Sequence, residues 1–246
     1  MMPDWNQVLL VFLYASVTAV ATGLGALPFL FVRNVSGRVV AYANAVAAGL
    51  MLGASFGLLI EGTAHGAVQT LAGAGIGVVF ILVAGRMLHH HDMDFGAVKG
   101  AGAKQIFLII AVMTVHSFSE GVAVGVAFGG GEALAALITI AIAVHNIPEG
   151  LAISAVMRPK GASVLSCALW SVFSSLPQPL MAVPAFLFVE AFRPVLPYGL
   201  GFAAGAMVFM VFLELLPEAY EQASRPSVGL LVSLTLGAMI LFQRYI

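Results

Sequence analysis

Unbroken apolar runs long enough to cross a bilayer constrain this chain more than any other feature. A helix of about 20 apolar residues spans the roughly 30 Å hydrocarbon core. Glycines, prolines and small charged clusters divide the sequence into eight such runs, at about 6–32, 39–61, 67–88, 105–128, 133–157, 162–189, 195–217 and 227–245. The runs are continuous, whereas a membrane β-barrel would show ten-residue segments of alternating polarity. The expectation is an all-α, polytopic membrane protein of eight transmembrane helices, forming a single transmembrane domain over residues 1–246. Asp4 precedes the first run and the start is not basic, so this run reads as a retained span rather than a cleaved signal peptide.

Composition narrows the function. The chain is 61% hydrophobic and only 9% charged, against roughly 25% charged in soluble domains. That excludes a soluble enzyme and a disordered chain. Ten Lys and Arg residues and a net charge of −1 leave no basic face for nucleic acid. The single cysteine, Cys167, excludes a disulfide framework and a multi-cysteine metal site. No segment resembles a nucleotide-binding loop, so no ATP-driven cycle is expected. The lipid bilayer is the expected surrounding, with the cytoplasmic (inner) membrane as its place.

The positive-inside rule sets the orientation. With the N-terminus outside, Arg33, Arg38, Arg86, Lys99, Lys104, Arg158, Lys160 and Arg225 face the cytoplasm, and only Arg193 and Arg244 face out. The expectation is N-out and C-out. Loop 88–104 is then a cytoplasmic loop that carries His89, His90, His91, Asp92 and Asp94. Ala47-Ala48-Gly49-Leu50-Met51 recurs as Ala203-Ala204-Gly205-Ala206-Met207 in spans of opposite direction. This points to an inverted repeat relating spans 1–3 to spans 6–8, a common transporter arrangement.

Ionisable groups in mid-membrane are costly and mark function. Span 4 carries His116-Ser117-Phe118-Ser119-Glu120-Gly121, and span 5 carries His145-Asn146-Ile147-Pro148-Glu149-Gly150. In each, His and Glu stand four residues apart on one helix face. Two such pairs at similar depth on neighbouring helices supply two imidazoles and two carboxylates. That mixed N/O set suits Zn²⁺ and other first-row divalent ions, and its −2 charge balances one of them. Pro148 removes a backbone donor beside Val144, so a kink in span 5 is expected. As an alternative, the pairs serve only as interhelical hydrogen bonds.

These residues resemble a known family. His145 through Gly150 matches the span-5 signature of the ZIP (Zrt/Irt-like) metal transporters, and His116 through Gly121 resembles its span-4 signature. Glu214-Leu215-Leu216-Pro217-Glu218 resembles the family's span-7 motif, with Leu213 where a histidine often stands. The similarity covers nearly the whole chain and is nearest to the short, GufA-like bacterial branch. The resemblance implies a permease that brings a divalent metal into the cytoplasm, in which spans 1, 4, 5 and 6 slide against spans 2, 3, 7 and 8. It implies His116, Glu120, His145 and Glu149 as the metal ligands, and a homodimer. Zn²⁺ is the expected substrate, with Cd²⁺, Fe²⁺, Mn²⁺, Co²⁺ or Ni²⁺ as alternatives.

The family's adjacent second site maps here onto Ser117, Asn146 and Gln178, all neutral. Two divalent ions would set +4 against −2, so a single ion is expected. Glu61 and His65 at one end, with Glu214 and Glu218 at the other, are candidates for ion entrance and exit, and His89–His91 for capture. Ser55 is a weak oxygen ligand or a structural hydroxyl. Rival readings are a passive divalent-metal channel and an intramembrane zinc hydrolase. The hydrolase lacks the H-E-x-x-H order of the zinc proteases.

Overall fold

The computed structural model describes residues 5–32, 35–88, 101–191 and 193–244. His89, His90, His91, Asp92 and Asp94 lie outside the described residues, as do Arg33 and Lys99. The described residues form helices and no strand: α1 (Trp5–Leu24), α2 (Gly37–Leu88), α3 (Ala101–Gly129), α4 (Glu132–Met157), α5 (Val164–Ser174), α6 (Pro177–Ala191), α7 (Leu196–Met210), a π-helical segment (Val211–Leu215), α8 (Leu216–Gln222) and α9 (Arg225–Gln243). Seven helical stretches are long and apolar enough to cross a membrane.

One of these, α2, has 52 residues and as a straight rod would measure about 78 Å at 1.5 Å per residue. It is not straight. Gly66 is extended (φ 167°, ψ 101°), and the chain doubles back there. Gly62 lies against the Thr70 side chain, although eight residues of helix would carry them about 12 Å apart. The first limb, residues 37–65, runs parallel to α9: Gly49 meets Thr235, Gly53 meets Met239 and Gly57 meets Gln243. The second limb, residues 67–88, runs parallel to α7, with Gly73 against Tyr198 and Gly77 against Phe202. The repeated Ala-Ala-Gly-x-Met segments sit on the first limb and α7, and Met51 and Met207 are buried in the same core cluster.

The helices pack as two bundles. In one, α1 lies on α4, α5 and α6, and α3 lies on α4 and α6. In the other, α2 lies on α7, α8 and α9. Inside each bundle, glycine lets backbones touch, as small residues do generally between membrane helices. A Cβ on Gly150 would overlap the Thr22 carbonyl, and one on Gly125 the Ala182 carbonyl. Between the bundles, where α2 meets α4 and α7 meets α3, side chains make the contact. Gly199 of α7, for example, faces the Val126 side chain of α3. An apolar cavity of about 520 Å³ lies on this seam, lined by Val122, Val126, Met181, Ile76, Tyr198 and Phe202 among others.

Three sequence expectations change in detail. The run at 162–189 is two helices, broken at Ser175–Leu176, because Pro177 disfavours helical geometry at Leu176 and suits the first turn of α6. The run at 195–217 is interrupted by the π-helical segment around Glu214. Pro217 has no N–H for the preceding turn and its ring crowds the Leu213 carbonyl. By contrast, α4 runs unbroken through Pro148. The helix break lies in the sixth predicted span.

Candidate metal centre

His116 and Glu120 stand one helical turn apart near the middle of α3, and His145 and Glu149 do the same on α4. The sharp α3–α4 turn, at Gly131 with φ 113°, makes the two helices antiparallel neighbours. The side chains converge. One donor atom from each lies within 4.8 Å of all the others, and all four residues are buried. His116 Nε2 is 2.8 Å from Glu149 Oε1 and 3.3 Å from Glu120 Oε1, and His145 Nε2 is 2.5 Å from Glu120 Oε1. Among the described residues this is the one group of three or more His, Cys, Asp or Glu residues with a metal-holding geometry.

Hydrogen bonding fixes part of the chemistry. The Ala141 carbonyl can only accept, so His145 Nδ1 carries the proton it donates there at 3.0 Å. Nε2 then presents its lone pair to the cluster, as in metal-binding histidines. A lone pair facing a carboxylate at 2.5 Å needs a proton or a cation between them. Both nitrogens of His116 and both oxygens of Glu149 lack hydrogen-bond partners, and the 2.8 Å contact between these residues does not have hydrogen-bond geometry. Unpartnered buried groups cost about 1–3 kcal/mol each, and a cation held by all four side chains would satisfy one His116 nitrogen and at least one Glu149 oxygen. Tetrahedral Zn²⁺ with bonds of about 2.0–2.2 Å places its ligands about 3.3 Å apart, within the spread seen here.

Around the four lies a neutral support. Gln178 Nε2 donates to Glu120 Oε2 at 2.5 Å, and Gln178 Oε1 accepts from Thr18 Oγ1 at 2.5 Å and from Asn146 Nδ2 at 3.3 Å. Asn146 also donates to the Thr18 carbonyl at 2.9 Å. Gln178 and Asn146 are thus beside the cluster, whereas Ser117 is buried with a hydroxyl that has no partner. Sequence reasoning passed over Thr18. The signal was Thr18 and Thr22 on one face of an otherwise apolar span; Thr22 bonds Ser175 at 2.7 Å.

The other candidates stand apart from the cluster. Glu61 and His65 bond each other at 3.0 Å on a partly exposed helix end, and Glu61 packs beside Gly130. Glu218 accepts from Asn44 at 3.0 Å. Asn44 and Glu61 are about 25 Å apart along the first limb of α2 at 1.5 Å per residue, so the two acidic groups lie at opposite ends of the molecule. Glu214 lies in the π-helical segment, partly buried. The Ser55 hydroxyl donates to the Met51 carbonyl at 2.8 Å, which leaves its oxygen lone pairs open.

Fold and site together define a class: a multi-pass helical membrane protein with a buried His/Glu cluster of the size and donor set for a divalent cation. Sequence comparison narrows it. Residues 86–243 match the sequence model described as ZIP zinc transporter. A putative zinc transporter of Arabidopsis thaliana is 44% identical over 231 residues, covering 92% of this chain but 37% of that protein. Zinc transporter GufA of Myxococcus xanthus is 33% identical over 227 residues, 85% of this chain and 88% of the relative. Zinc transporter ZIPB of Bordetella bronchiseptica is 33% identical over 234 residues, 88% and 75% of the two lengths. The chain belongs to the ZIP family of zinc transporters. The relatives' names denote transport rather than catalysis.

Proposed function

We propose that this chain is a secondary transporter that carries one divalent cation at a time, zinc foremost, across the cytoplasmic membrane into the cell. The ion sits among His116, Glu120, His145 and Glu149. The polypeptide crosses the membrane eight times, N-out and C-out, with the two limbs of α2 as separate crossings. The parallel pairing of the first limb with α9, and of the second limb with α7, agrees with strictly alternating crossings.

One observation carries the reading. All four ligands belong to α3 and α4, and their supports come from α1, α4 and α6. Among the described residues, the bundle of α2, α7, α8 and α9 contributes no His, Cys, Asp or Glu to the cluster. An ion held there travels with one bundle, which favours an elevator-type motion over a fixed pore lined by both. The side-chain seam and its cavity suit sliding, while the glycine-locked backbones inside each bundle suit rigid movement. Neutral Gln178 and Asn146 support a single ion. Glu61 and His65 serve the outer entrance, and Glu214 and Glu218 the cytoplasmic exit. When the ion leaves, protons take its place between the carboxylates and imidazoles.

The test is uptake into proteoliposomes of Zn²⁺, Cd²⁺, Fe²⁺, Mn²⁺, Co²⁺ and Ni²⁺ by wild type beside His145→Ala. Saturable Zn²⁺ uptake lost in the variant is expected. Flux linear in concentration and steeply voltage-dependent would replace the carrier by a channel. Tight binding with no flux of any ion would overturn transport and turn attention to an intramembrane hydrolase.

A further inference from the structure

A carboxylate can hold a cation through one oxygen or through two, and the choice sets the coordination number of the seat. The two oxygens of Glu120 have different surroundings. Oε1 faces both histidines, whereas Oε2 accepts from the Gln178 amide. That amide cannot turn round. Its oxygen accepts from Asn146 Nδ2 and lies 2.5 Å from Thr18 Oγ1, whose one proton is shared between it and the Ala15 carbonyl. Exchanging its ends would set a carbonyl against a carboxylate and one NH₂ against another, inside a fully buried pocket where such contacts are costly. Nor can it draw back. Gln178 opens α6 directly after the break at Ser175–Leu176, and Gly121 brings the α3 backbone against the Gln178 backbone.

We propose that Gln178 is a positioning residue that sets metal specificity. It keeps Glu120 Oε2 from the ion, so that Glu120 binds through one oxygen and the seat has a low coordination number. His145, tied to Ala141, offers one nitrogen, and His116 offers one. Glu149, with both oxygens unpartnered, is the one ligand able to add a further bond. Zn²⁺ accepts four tetrahedral ligands, whereas Mn²⁺ favours octahedral oxygen coordination. The restraint therefore works against Mn²⁺. This inference rests on the four-residue cluster being the ion's seat.

The experiment uses the purified full chain with Co²⁺ as a spectroscopic probe and Zn²⁺/Mn²⁺ competition as a second readout. Wild type is expected to bind one Co²⁺ with the intense visible bands of a tetrahedral ion. Gln178→Met fills the same space without a hydrogen bond, and Gln178→Ala removes the side chain. Both are expected to keep one Co²⁺ but weaken the bands as Oε2 joins. The Zn²⁺-over-Mn²⁺ preference should fall about tenfold, the lower end of what losing a ligand's hydrogen-bond partner costs. Thr18→Val, which frees the amide without touching Gln178, should fall between and covers the case of a Gln178 variant that does not fold. Unchanged spectra in every folded variant with one Co²⁺ bound, or weak six-coordinate bands in wild type, would overturn the proposal. Failure of wild type to bind Co²⁺ at all would overturn the seat itself, and this inference with it.

Discussion

The two bundles are built from the same apolar alphabet but bury different things. Among the described residues, apart from Asn44, Ser55 and Thr70, every buried polar residue lies in α1, α3, α4, α5 or α6, or in the break between the last two. Two of the three exceptions bond their own helix: Ser55 bonds the Met51 carbonyl and Thr70 the Gly66 carbonyl. The bundle of α2, α7, α8 and α9 is held by close apolar packing and by hydrogen bonds near its ends, Asn44 to Glu218 at 3.0 Å and Gln243 to the Gly53 carbonyl at 2.7 Å. Its outer helix α9 has 11% of its membrane window buried, against 67% for the stretch containing α4. The first bundle is the carrier of polarity and the second a wall that faces lipid. In hydrocarbon, apolar side chains gain nothing by leaving lipid for one another, so association depends on close packing and hydrogen bonds. The hydrogen-bonded network of Thr18, Asn146 and Gln178 lies in the first bundle, beside the His/Glu cluster.

This contrast can be broken by experiment, and the largest effect should come from the acids. Glu149→Ala is expected to abolish uptake while the protein still inserts and elutes as a single species. Glu218→Ala, on the other bundle, should slow uptake without stopping it. Equal loss in both, measured as initial rates in proteoliposomes, would erase the distinction between the bundles.

Crosslinks sharpen the same point. In a Cys167→Ser background, a disulfide joining Val126→Cys to Gly199→Cys spans the seam and should stop uptake until reductant is added. A disulfide joining Thr22→Cys to Ser175→Cys stays inside one bundle and should leave uptake running. Transport that survives the first link would exclude sliding at that seam.

Glycine substitutions give the smallest effects. Gly150→Val drives a side chain into the Thr22 carbonyl and should cost about 1–3 kcal/mol, the usual range for overpacking, read as lower thermal stability in detergent. Gly237 on α9 has nothing within 4 Å of where a Cβ would sit, so Gly237→Ala should stabilise by about 0.5–1 kcal/mol through helix propensity. A large loss at Gly237 would mean that a partner covers α9.

Much of this was readable from residue order. Apolar run length gave the helices, because a bilayer demands about twenty apolar residues wherever a chain crosses it. The two H-x-x-x-E-G segments gave the four side chains that cluster, because a spacing of four fixes a shared face before any packing occurs. The breaks were less legible. Pro148 lies inside a continuous α4, while Pro177 follows the break in a run that hydropathy reads as continuous. A proline near a helix start is accommodated and one in the interior removes a hydrogen bond, and which of the two applies depends on where the helix begins. The doubling back at Gly66 was foreseen only because 39–61 and 67–88 are each long enough to span. The helical pattern itself barely lapses there.

The sequence alone determined the membrane, the helices, the family and the identity of the four converging side chains, all of which follow from local spacing and solvent. Only the tertiary structure decided that Thr18, Asn146 and Gln178 form one hydrogen-bonded chain ending on Glu120. It likewise decided that Glu61 and Glu218 stand at opposite ends, away from the cluster. Those relations join residues far apart along the chain, and no local rule of periodicity can see across helices. They depend on how closely glycines such as Gly25, Gly121 and Gly150 let neighbouring backbones approach.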